Sequence, residues 1–169
     1  MMFVVMKQLI LIRHAKSSWD DASLSDFERP LNERGKKDAP AMAKKLRDKK
    51  IEIDAMVSSP AKRARQTAKH FTKAFDLKKK NVALEPKLYE ADDENFYEVV
   101  ENFKNKWNSV AIVSHNPGIT SFAHSLTESR IDDMPTCGIF AVKISADEWK
   151  DFRQAKKEFW FFDYPKSEM

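Results

Sequence analysis

The chain has 169 residues, of which 42% are hydrophobic and 33% charged, and its formal net charge is +4. That length fits one domain of ordinary size, and the apolar content excludes an intrinsically disordered chain. The 30 basic residues are spread among 26 acidic ones, so the positive charge does not indicate a nucleic-acid-binding surface.

Cysteine content and hydropathy bear on the compartment. Cys137 is the single cysteine, which excludes an internal disulfide framework and favours a reducing, cytoplasmic location. No apolar run approaches the roughly 20 residues needed to cross a membrane. The apolar start is short and has neither a preceding basic residue nor a cleavage site. We therefore predict one domain over residues 1–169, with residues 1–6 as a ragged N-terminal extension rather than a signal peptide.

The first half of the chain alternates apolar runs with helical patterns. Residues 9–12 are a continuous apolar run typical of a strand buried on both faces. Asn32 then caps a predicted helix that runs to about Lys50. A second short strand covers residues 55–57. Ser59 and Pro60 predict the start of the next helix, which runs to about Phe75.

The second half continues the same alternation. A third strand is predicted at 82–84, a helix at 95–106, a fourth strand at 110–113 and a helix at 116–126. Two more strands follow, at 138–144 and 158–162. They are joined by a short connection, which favours one of them running antiparallel.

This order of elements predicts an α/β fold. Strands that alternate with helices form crossover units, so we expect a three-layer α/β/α sandwich with a mostly parallel central sheet. The sequence has three glycines, at 35, 118 and 138, and no glycine-rich phosphate loop. A phosphate site in this chain would therefore use side chains and helix ends.

Polar residues that suit an anion site follow three of the predicted strands. Arg13 and His14 come after the first strand, Arg63 lies just beyond the second, and His115 comes after the fourth. In an open α/β sheet, ligands bind beyond the carboxyl ends of the strands. Arginine forks and helix N-termini both bind phosphate oxygens, so this edge of the sheet is a candidate phosphate site.

The two histidines at this edge have two competing interpretations. A zinc site needs three or four protein ligands, and no cysteine or carboxylate lies at ligand spacing from either residue. Neutral imidazole carries a lone pair near pH 7 and forms covalent intermediates, so a nucleophile is the better interpretation. His70 and His124 lie in the middle of predicted helices and are interpreted as structural.

Four sequence blocks resemble the histidine phosphatase superfamily, which has the phosphoglycerate mutase-like fold. They are Leu-Ile-Arg-His-Ala-Lys-Ser-Ser at 11–18, Arg-Pro-Leu-Asn-Glu-Arg-Gly at 29–35, Ser-Ser-Pro-Ala-Lys-Arg-Ala-Arg-Gln-Thr-Ala at 58–68, and Val-Ser-His-Asn-Pro at 113–117. The blocks stand in family order and cover about residues 7–120. Alanine at position 15, together with the short chain, is similar to the SixA-type phosphohistidine phosphatase subgroup.

The resemblance implies roles for four residues. His14 would be the nucleophile, and Arg13, Arg63 and His115 would bind the phosphoryl oxygens, with His115 protonated. No metal or other cofactor is implied.

The general acid is less well defined. Many members of the superfamily carry a carboxylate after the third strand, and Glu90 occupies that region. Asp92, Asp93 and Glu94 are alternatives, as is a mechanism without a protein acid.

The function implied is a metal-independent phosphatase that works through a phosphohistidine intermediate. The short connections around the site favour phosphohistidine on a protein, such as a histidine phosphotransfer domain. Small phosphate esters or sugar phosphates are the alternative substrates, and a non-catalytic phosphate-binding module is a second alternative. Neither nucleic acid nor a membrane is an expected partner, and the oligomeric state stays open.

Overall fold

The computed structural model describes residues 6–129 and 131–165, which form a six-stranded sheet with α-helices on both faces. The strands are Met6–Arg13 (β1), Ala55–Ser58 (β2), Val82–Leu84 (β3), Ser109–Ser114 (β4), Ile139–Ser145 (β5) and Lys157–Asp163 (β6). The helices are Glu33–Asp48 (α1), Lys62–Ala74 (α2), Asp93–Glu101 (α3) and Gly118–Leu126 (α4).

The strand order across the sheet is β3-β2-β4-β1-β5-β6. The first four strands in that order are parallel, while β5 is antiparallel to both β1 and β6. Residues 9–12 at the centre of β1 have no exposed surface, as their unbroken apolar run predicted. The predicted mostly parallel sheet is confirmed, and β5 is its antiparallel strand.

Helices cover both faces of this sheet. Helices α1 and α2 pack with Ile10, Ile12 and Met56 on one face, whereas α3 and α4 pack with Leu9 and Leu11 on the other. Neighbouring residues of β1 therefore belong to different cores, because successive side chains of a strand point to opposite faces. The three-layer α/β/α arrangement predicted from the sequence is confirmed.

The register of the central strands places their carboxyl ends side by side. Arg13 at the end of β1 pairs with Ser114 at the end of β4, and Ser58 at the end of β2 pairs with Val113. The residues that follow β1, β2 and β4 therefore emerge at one edge of the sheet.

Two helices begin later than the sequence predicted, at this same edge. Helix α2 begins at Lys62, not at Ser59 and Pro60, because the Ser59 hydroxyl accepts the N–H of Ala61 ahead of the helix. Helix α4 begins at Gly118, and the Asn116–Pro117 peptide bond that precedes it is cis. Both lead-in segments place polar groups beside the strand ends.

The bounds of α3 also differ from the prediction of 95–106. The Asp92 side chain accepts the N–H of Asn95, and the Asn95 side chain accepts the N–H of Asp92. This capping box starts the helix at Asp93. The helix ends at Glu101, after which Phe103 and Trp107 are buried in the core by an irregular segment.

The predicted N-terminal extension reaches the first strand of the sheet. Met6, the last residue of the predicted N-terminal extension, is the first residue of β1, and residues 1–5 lie outside the described part of the chain. Across residues 6–129 and 131–165, no helix has the length and apolar character required to cross a membrane.

A glycine in α1 lets that helix approach the segment after β1 closely. A Cβ atom on Gly35 would lie 2.2 Å from the carbonyl oxygen of Lys16, far inside van der Waals contact. The same carbonyl accepts the N–H of Asn32, whose side chain caps α1 by accepting the Gly35 N–H. The start of α1 is therefore fixed directly against the residues that follow His14.

We predict that Gly35→Ala lowers the free energy of unfolding by about 1–3 kcal/mol, because the added methyl group overlaps the Lys16 carbonyl and forces the backbone apart. Urea unfolding measures the change. Lys37→Ala, at an exposed position of the same helix, is the control and should alter the value by no more than about 0.5 kcal/mol. Equal stability of the two variants would contradict the close approach.

Candidate active site

A cavity of about 510 Å³ opens at the carboxyl edge of β1, β2 and β4. Its lining includes the four residues that the sequence analysis singled out: Arg13, His14, Arg63 and His115. The two histidine rings lie 5.1 Å apart between centroids. Residues that are up to about a hundred positions apart in the sequence are thus brought together by the parallel register of the three strands.

The backbone of His14 is held on both sides. Its N–H donates to the Ser114 carbonyl at 3.1 Å, and its carbonyl accepts the N–H of Cys137 at 3.0 Å. The next peptide is held by α2, because the Ala15 N–H donates to the Thr67 hydroxyl at 3.0 Å. The backbone that carries the His14 side chain is therefore held by β4, by the segment before β5 and by α2.

The contacts of the His14 ring define its tautomer. Nδ1 lies 2.7 Å from the Ala15 carbonyl, which can only accept, so Nδ1 carries the proton. Nε2 lies 3.3 Å from Nε of Arg63, which can only donate, so Nε2 is the acceptor. The lone pair of the ring is thus on Nε2, the nitrogen that faces Arg63.

Burial keeps this imidazole neutral. His14 is 6% exposed, and desolvation, together with the nearby His115, Arg63 and Arg13, lowers its pKa from 6.5 to about 3 despite the opposing hydrogen bond to Ala15. At neutral pH the lone pair on Nε2 is available for attack on an electrophile.

His115 is also buried and neutral in this state. Its Nε2 lies 2.7 Å from the Ser59 hydroxyl, and its buried Nδ1 has no partner among the described residues. Desolvation is the main reason that its pKa falls to about 4, with Arg63 as the next cause. The protonated His115 expected during phosphoryl transfer therefore requires the negative charge of the bound anion, which offsets the loss of hydration and the repulsion by the neighbouring arginines.

The two arginines approach the cavity from different elements. Arg13 ends β1, and its Nη1 donates to the Met134 carbonyl at 2.8 Å, a carbonyl that also accepts the Asn116 side-chain N–H. Arg63 lies in the first turn of α2 and is 5% exposed. Its Nε points at His14, while Nη1 and Nη2 contact the carbonyl and carboxylate of Asp26.

The sequence analysis gave no role to three residues that meet beside Arg63. Asp26 accepts hydrogen bonds from Arg63, Arg29 and the Tyr89 hydroxyl. The Tyr89 ring in turn packs edge-on against His115, with centroids 5.5 Å apart. The block at residues 29–35 was the available signal for Arg29, whereas nothing in the sequence pattern pointed to Asp26 or Tyr89.

An exposed tryptophan stands at the rim of the cavity. Trp19 is 73% exposed, and the Arg29 guanidinium carbon lies 3.4 Å from its ring centroid. Arg29 itself is buried and donates to the Ser17 hydroxyl at 2.8 Å. The Arg29 guanidinium therefore packs against the Trp19 indole, and the rest of the indole is exposed to solvent.

The four candidate acids occupy different positions. Glu90 is exposed and lines the cavity, with a left-handed φ of 56°. Asp92 is the N-cap of α3, Asp93 lies in its first turn, and Glu94 pairs with Arg153. Of these four carboxylates, Glu90 alone lines the cavity that contains His14.

Within the described residues, no group of three or more His, Cys, Asp or Glu side chains is arranged to hold a metal ion. The charged side chains that lower the pKa of His14 include two cations, Arg13 and Arg63. Such a set is suited to an anion with several oxygens, which is the geometry of a phosphoryl group.

Comparison with known proteins gives a family match. A model of the histidine phosphatase superfamily, branch 1, matches residues 9–99. A chloroplastic protein of Arabidopsis thaliana is 31% identical over an alignment of 155 residues, and the match covers 87% of this chain and 71% of that protein. The superfamily resemblance noted in the sequence blocks is confirmed.

A solved structure and a second relative extend the comparison. The structure of the protein histidine phosphatase SixA complexed with tungstate has a TM-score of 0.78 at 25% identity, and the match covers 94% of this chain and 97% of that one. Phosphoserine phosphatase 1 of Hydrogenobacter thermophilus is 36% identical over 89 residues, covering 52% of this chain and 40% of that protein. The fold match confirms the predicted similarity to the SixA-type subgroup.

The lowered histidine pKa values predict a pH-dependent stability. The unfolded chain protonates its histidines near 6.5, whereas the folded protein holds His14 neutral down to about 3 and His115 down to about 4. Between pH 6.5 and these lower pKa values, the unfolded state therefore binds more protons than the folded state. The free energy of unfolding should consequently fall as pH falls below about 6.5. Urea unfolding at about pH 7.5 and about pH 5 should show a smaller loss for His14→Gln than for the wild type. Equal losses in the two proteins would contradict the buried neutral His14.

Proposed function

The chain belongs to the histidine phosphatase superfamily, and we propose that it is a metal-independent phosphatase that transfers the phosphoryl group through His14. The observation that carries this proposal is the His14 ring, which is neutral, has its proton fixed on Nδ1 by Ala15 and presents the Nε2 lone pair beside Arg63. A neutral nucleophile next to fixed cations is the arrangement that phosphoryl transfer requires.

In the first transfer, Nε2 of His14 attacks phosphorus as the bond to the leaving group breaks. Arg13 and Arg63 hold the equatorial oxygens, and His115 takes up a proton from solvent as the dianion enters, which adds a third positive group. The ring of His14 gains a positive charge when the N–P bond forms, and its Nδ1–H then donates a charge-assisted hydrogen bond to the Ala15 carbonyl. These preorganised charges supply most of the catalysis available to a protein in this reaction.

We assign the proton transfers to Glu90. A leaving alkoxide takes the proton of the Glu90 carboxyl group, whereas an imidazole leaving group needs less help. The strained backbone of Glu90 at the cavity rim supports a functional position, because a non-glycine residue in the left-handed region costs about 1–2 kcal/mol.

In the second transfer, a water molecule attacks the phosphoryl group on His14 and gives its proton to the Glu90 carboxylate. The N–P bond breaks, its electron pair returns to Nε2, and inorganic phosphate leaves. His115 returns its proton to solvent as phosphate leaves, and the enzyme is restored to the state seen in the structure, with both histidines neutral.

We propose that the substrate is phosphohistidine on a protein, such as a histidine phosphotransfer domain. Trp19 supports this choice, since it stands exposed at the rim on the buried Arg29. Tryptophan and arginine are the residue types that contribute most to protein interfaces. The fold similarity to SixA, a protein histidine phosphatase, is a second support.

Small phosphate esters are the second candidate substrates. The similarity to phosphoserine phosphatase 1 over 89 residues favours them, although it spans 40% of that protein. The chemistry at His14 is the same for both classes, so the distinction depends on what contacts the rim.

A cytoplasmic location accompanies the protein-substrate proposal. Its support is Cys137, the single cysteine of the sequence, which is a buried free thiol. The location remains a prediction from the composition.

We predict that His14→Ala lowers turnover by at least about a thousandfold, because the covalent pathway loses its nucleophile. Turnover of a phosphohistidine protein and of p-nitrophenyl phosphate is measured in buffer with excess chelator, and a ³²P-labelled substrate is used with rapid quench. The wild type should give an acid-labile, base-stable adduct and His14→Ala none.

His70→Ala, a histidine of α2 outside the cavity, is the matched control and should behave as the wild type. Label on a serine or on Cys137 would refute the nucleophile. A need for added divalent ion would refute metal independence. A wild type that binds phosphate without any turnover would favour the non-catalytic module.

We predict that Trp19→Ala lowers kcat/KM for a phosphohistidine protein by about tenfold or more, while kcat/KM for the free phosphohistidine amino acid changes by less than about twofold. The two substrates share the same reacting bond, so the difference isolates contacts at the rim. Leu84→Ala, an exposed apolar residue on β3 away from the cavity, is the control. Equal effects of Trp19→Ala on both substrates, or faster turnover of phosphoserine than of the protein, would support the small-ester alternative.

A further inference from the structure

The cavity contains a carboxylate where an anion-binding site would be expected to exclude one. Asp26, in a short 3₁₀ helix at residues 26–28, lines the same cavity as His14 and Arg63. Its hydrogen bonds from Tyr89, Arg63 and Arg29 outweigh desolvation and hold its pKa at about 2, so it is ionised at neutral pH. A negative charge here repels a phosphoryl dianion and lowers the affinity of the site for it. The carboxylate is therefore expected to have a second, favourable effect that offsets this loss.

Both oxygens of this carboxylate are engaged. Oδ1 accepts a hydrogen bond from Nε of Arg29 at 3.2 Å and forms an ion pair with Nη2 of the same residue at 3.1 Å. Oδ2 accepts from Nη2 of Arg63 at 3.0 Å and from the Tyr89 hydroxyl at 2.7 Å. An ionised carboxylate has about four acceptor positions, and three hydrogen bonds and one ion-pair contact are directed at them. These contacts favour the ionised form of Asp26 and leave it poorly suited to take up and release a proton as a general acid or base.

The contacts with Arg63 instead fix the orientation of its guanidinium group. Nη1 donates to the Asp26 carbonyl at 2.6 Å and Nη2 donates to the Asp26 carboxylate at 3.0 Å. Two contacts from one residue prevent the planar group from rotating. Nε is then left directed at Nε2 of His14, the atom at which the N–P bond would form.

The same residue also reaches the second histidine. The Tyr89 hydroxyl donates to Asp26, and the Tyr89 ring packs edge-on against His115. Asp26 therefore links the segment after β1 directly to Arg63 and, through Tyr89, to His115.

We propose that Asp26 is a positioning residue for phosphoryl transfer, which orients Arg63 against the nucleophile at the expense of affinity for the anion. This inference rests on the proposed phosphatase function. It assigns two opposite effects to one carboxylate: it favours the reaction through geometry and disfavours ground-state binding through charge. A residue that only supports the fold would have neither effect separately.

The test compares Asp26→Asn and Asp26→Ala with the wild type in two measurements. We expect kcat to fall by about tenfold to a hundredfold, because Arg63 is no longer held in the reactive orientation. The dissociation constant of inorganic phosphate, measured by calorimetry, should stay equal or become smaller, because the repelling charge is gone. Arg63→Ala provides the contrast, since it should weaken both turnover and phosphate binding.

Asp20→Asn is the matched control, because it removes an exposed carboxylate from the same segment outside the cavity. It should leave both quantities unchanged. Turnover of Asp26→Asn equal to that of Asp20→Asn would overturn the inference. A parallel loss of turnover and phosphate affinity would also overturn it, since that pattern indicates a structural role. Absence of turnover in the wild type would instead reject the proposed phosphatase function, so the two failures are distinct.

Discussion

The site depends on one buried imidazole that lies between an obligate acceptor and an obligate donor. The Ala15 carbonyl fixes the proton of His14 on Nδ1, and Arg63 fixes the acceptor on Nε2. Burial then disfavours the charged form of the ring, because an imidazolium here would lose its hydration and would be repelled by two neighbouring arginines. The His14 ring therefore has one tautomer and one charge, and the rest of the fold keeps the residues around the ring in place.

The sheet explains how neighbours so distant in sequence come together. β1, β2 and β4 are adjacent and parallel, and their register makes them end at the same level. The residues after each strand are then free to differ in backbone conformation without altering the core. This separation between a regular apolar interior and an irregular polar edge lets the cavity hold arginines beside neutral histidines.

Most of the fold follows from local patterns in the sequence, and much of the cavity does not. The strands and helices were predictable because their buried residues recur with regular periods, as in residues 9–12 of β1. Arg13, His14, Arg63 and His115 were identifiable because each lies at the end of a strand or within a few residues after it. The predicted start of α2 was wrong, because the Ser59 hydroxyl accepts the Ala61 N–H ahead of the helix and also contacts His115. Asp26 was missed because its contact with Arg63 joins positions 37 residues apart, in a segment without periodicity.

The hydroxyl of Thr67 has a mechanical consequence. It donates to the Arg63 carbonyl one turn earlier in α2 at 2.8 Å, and it accepts the Ala15 N–H at 3.0 Å. Arg63 and the backbone that carries His14 are therefore tied to the same turn of one helix. A shift of α2 away from the sheet would strain both the hydrogen bond between Thr67 and Ala15 and the contact between Arg63 and His14. The spacing between the guanidinium and the imidazole is therefore linked to the docking of α2 on the end of β1.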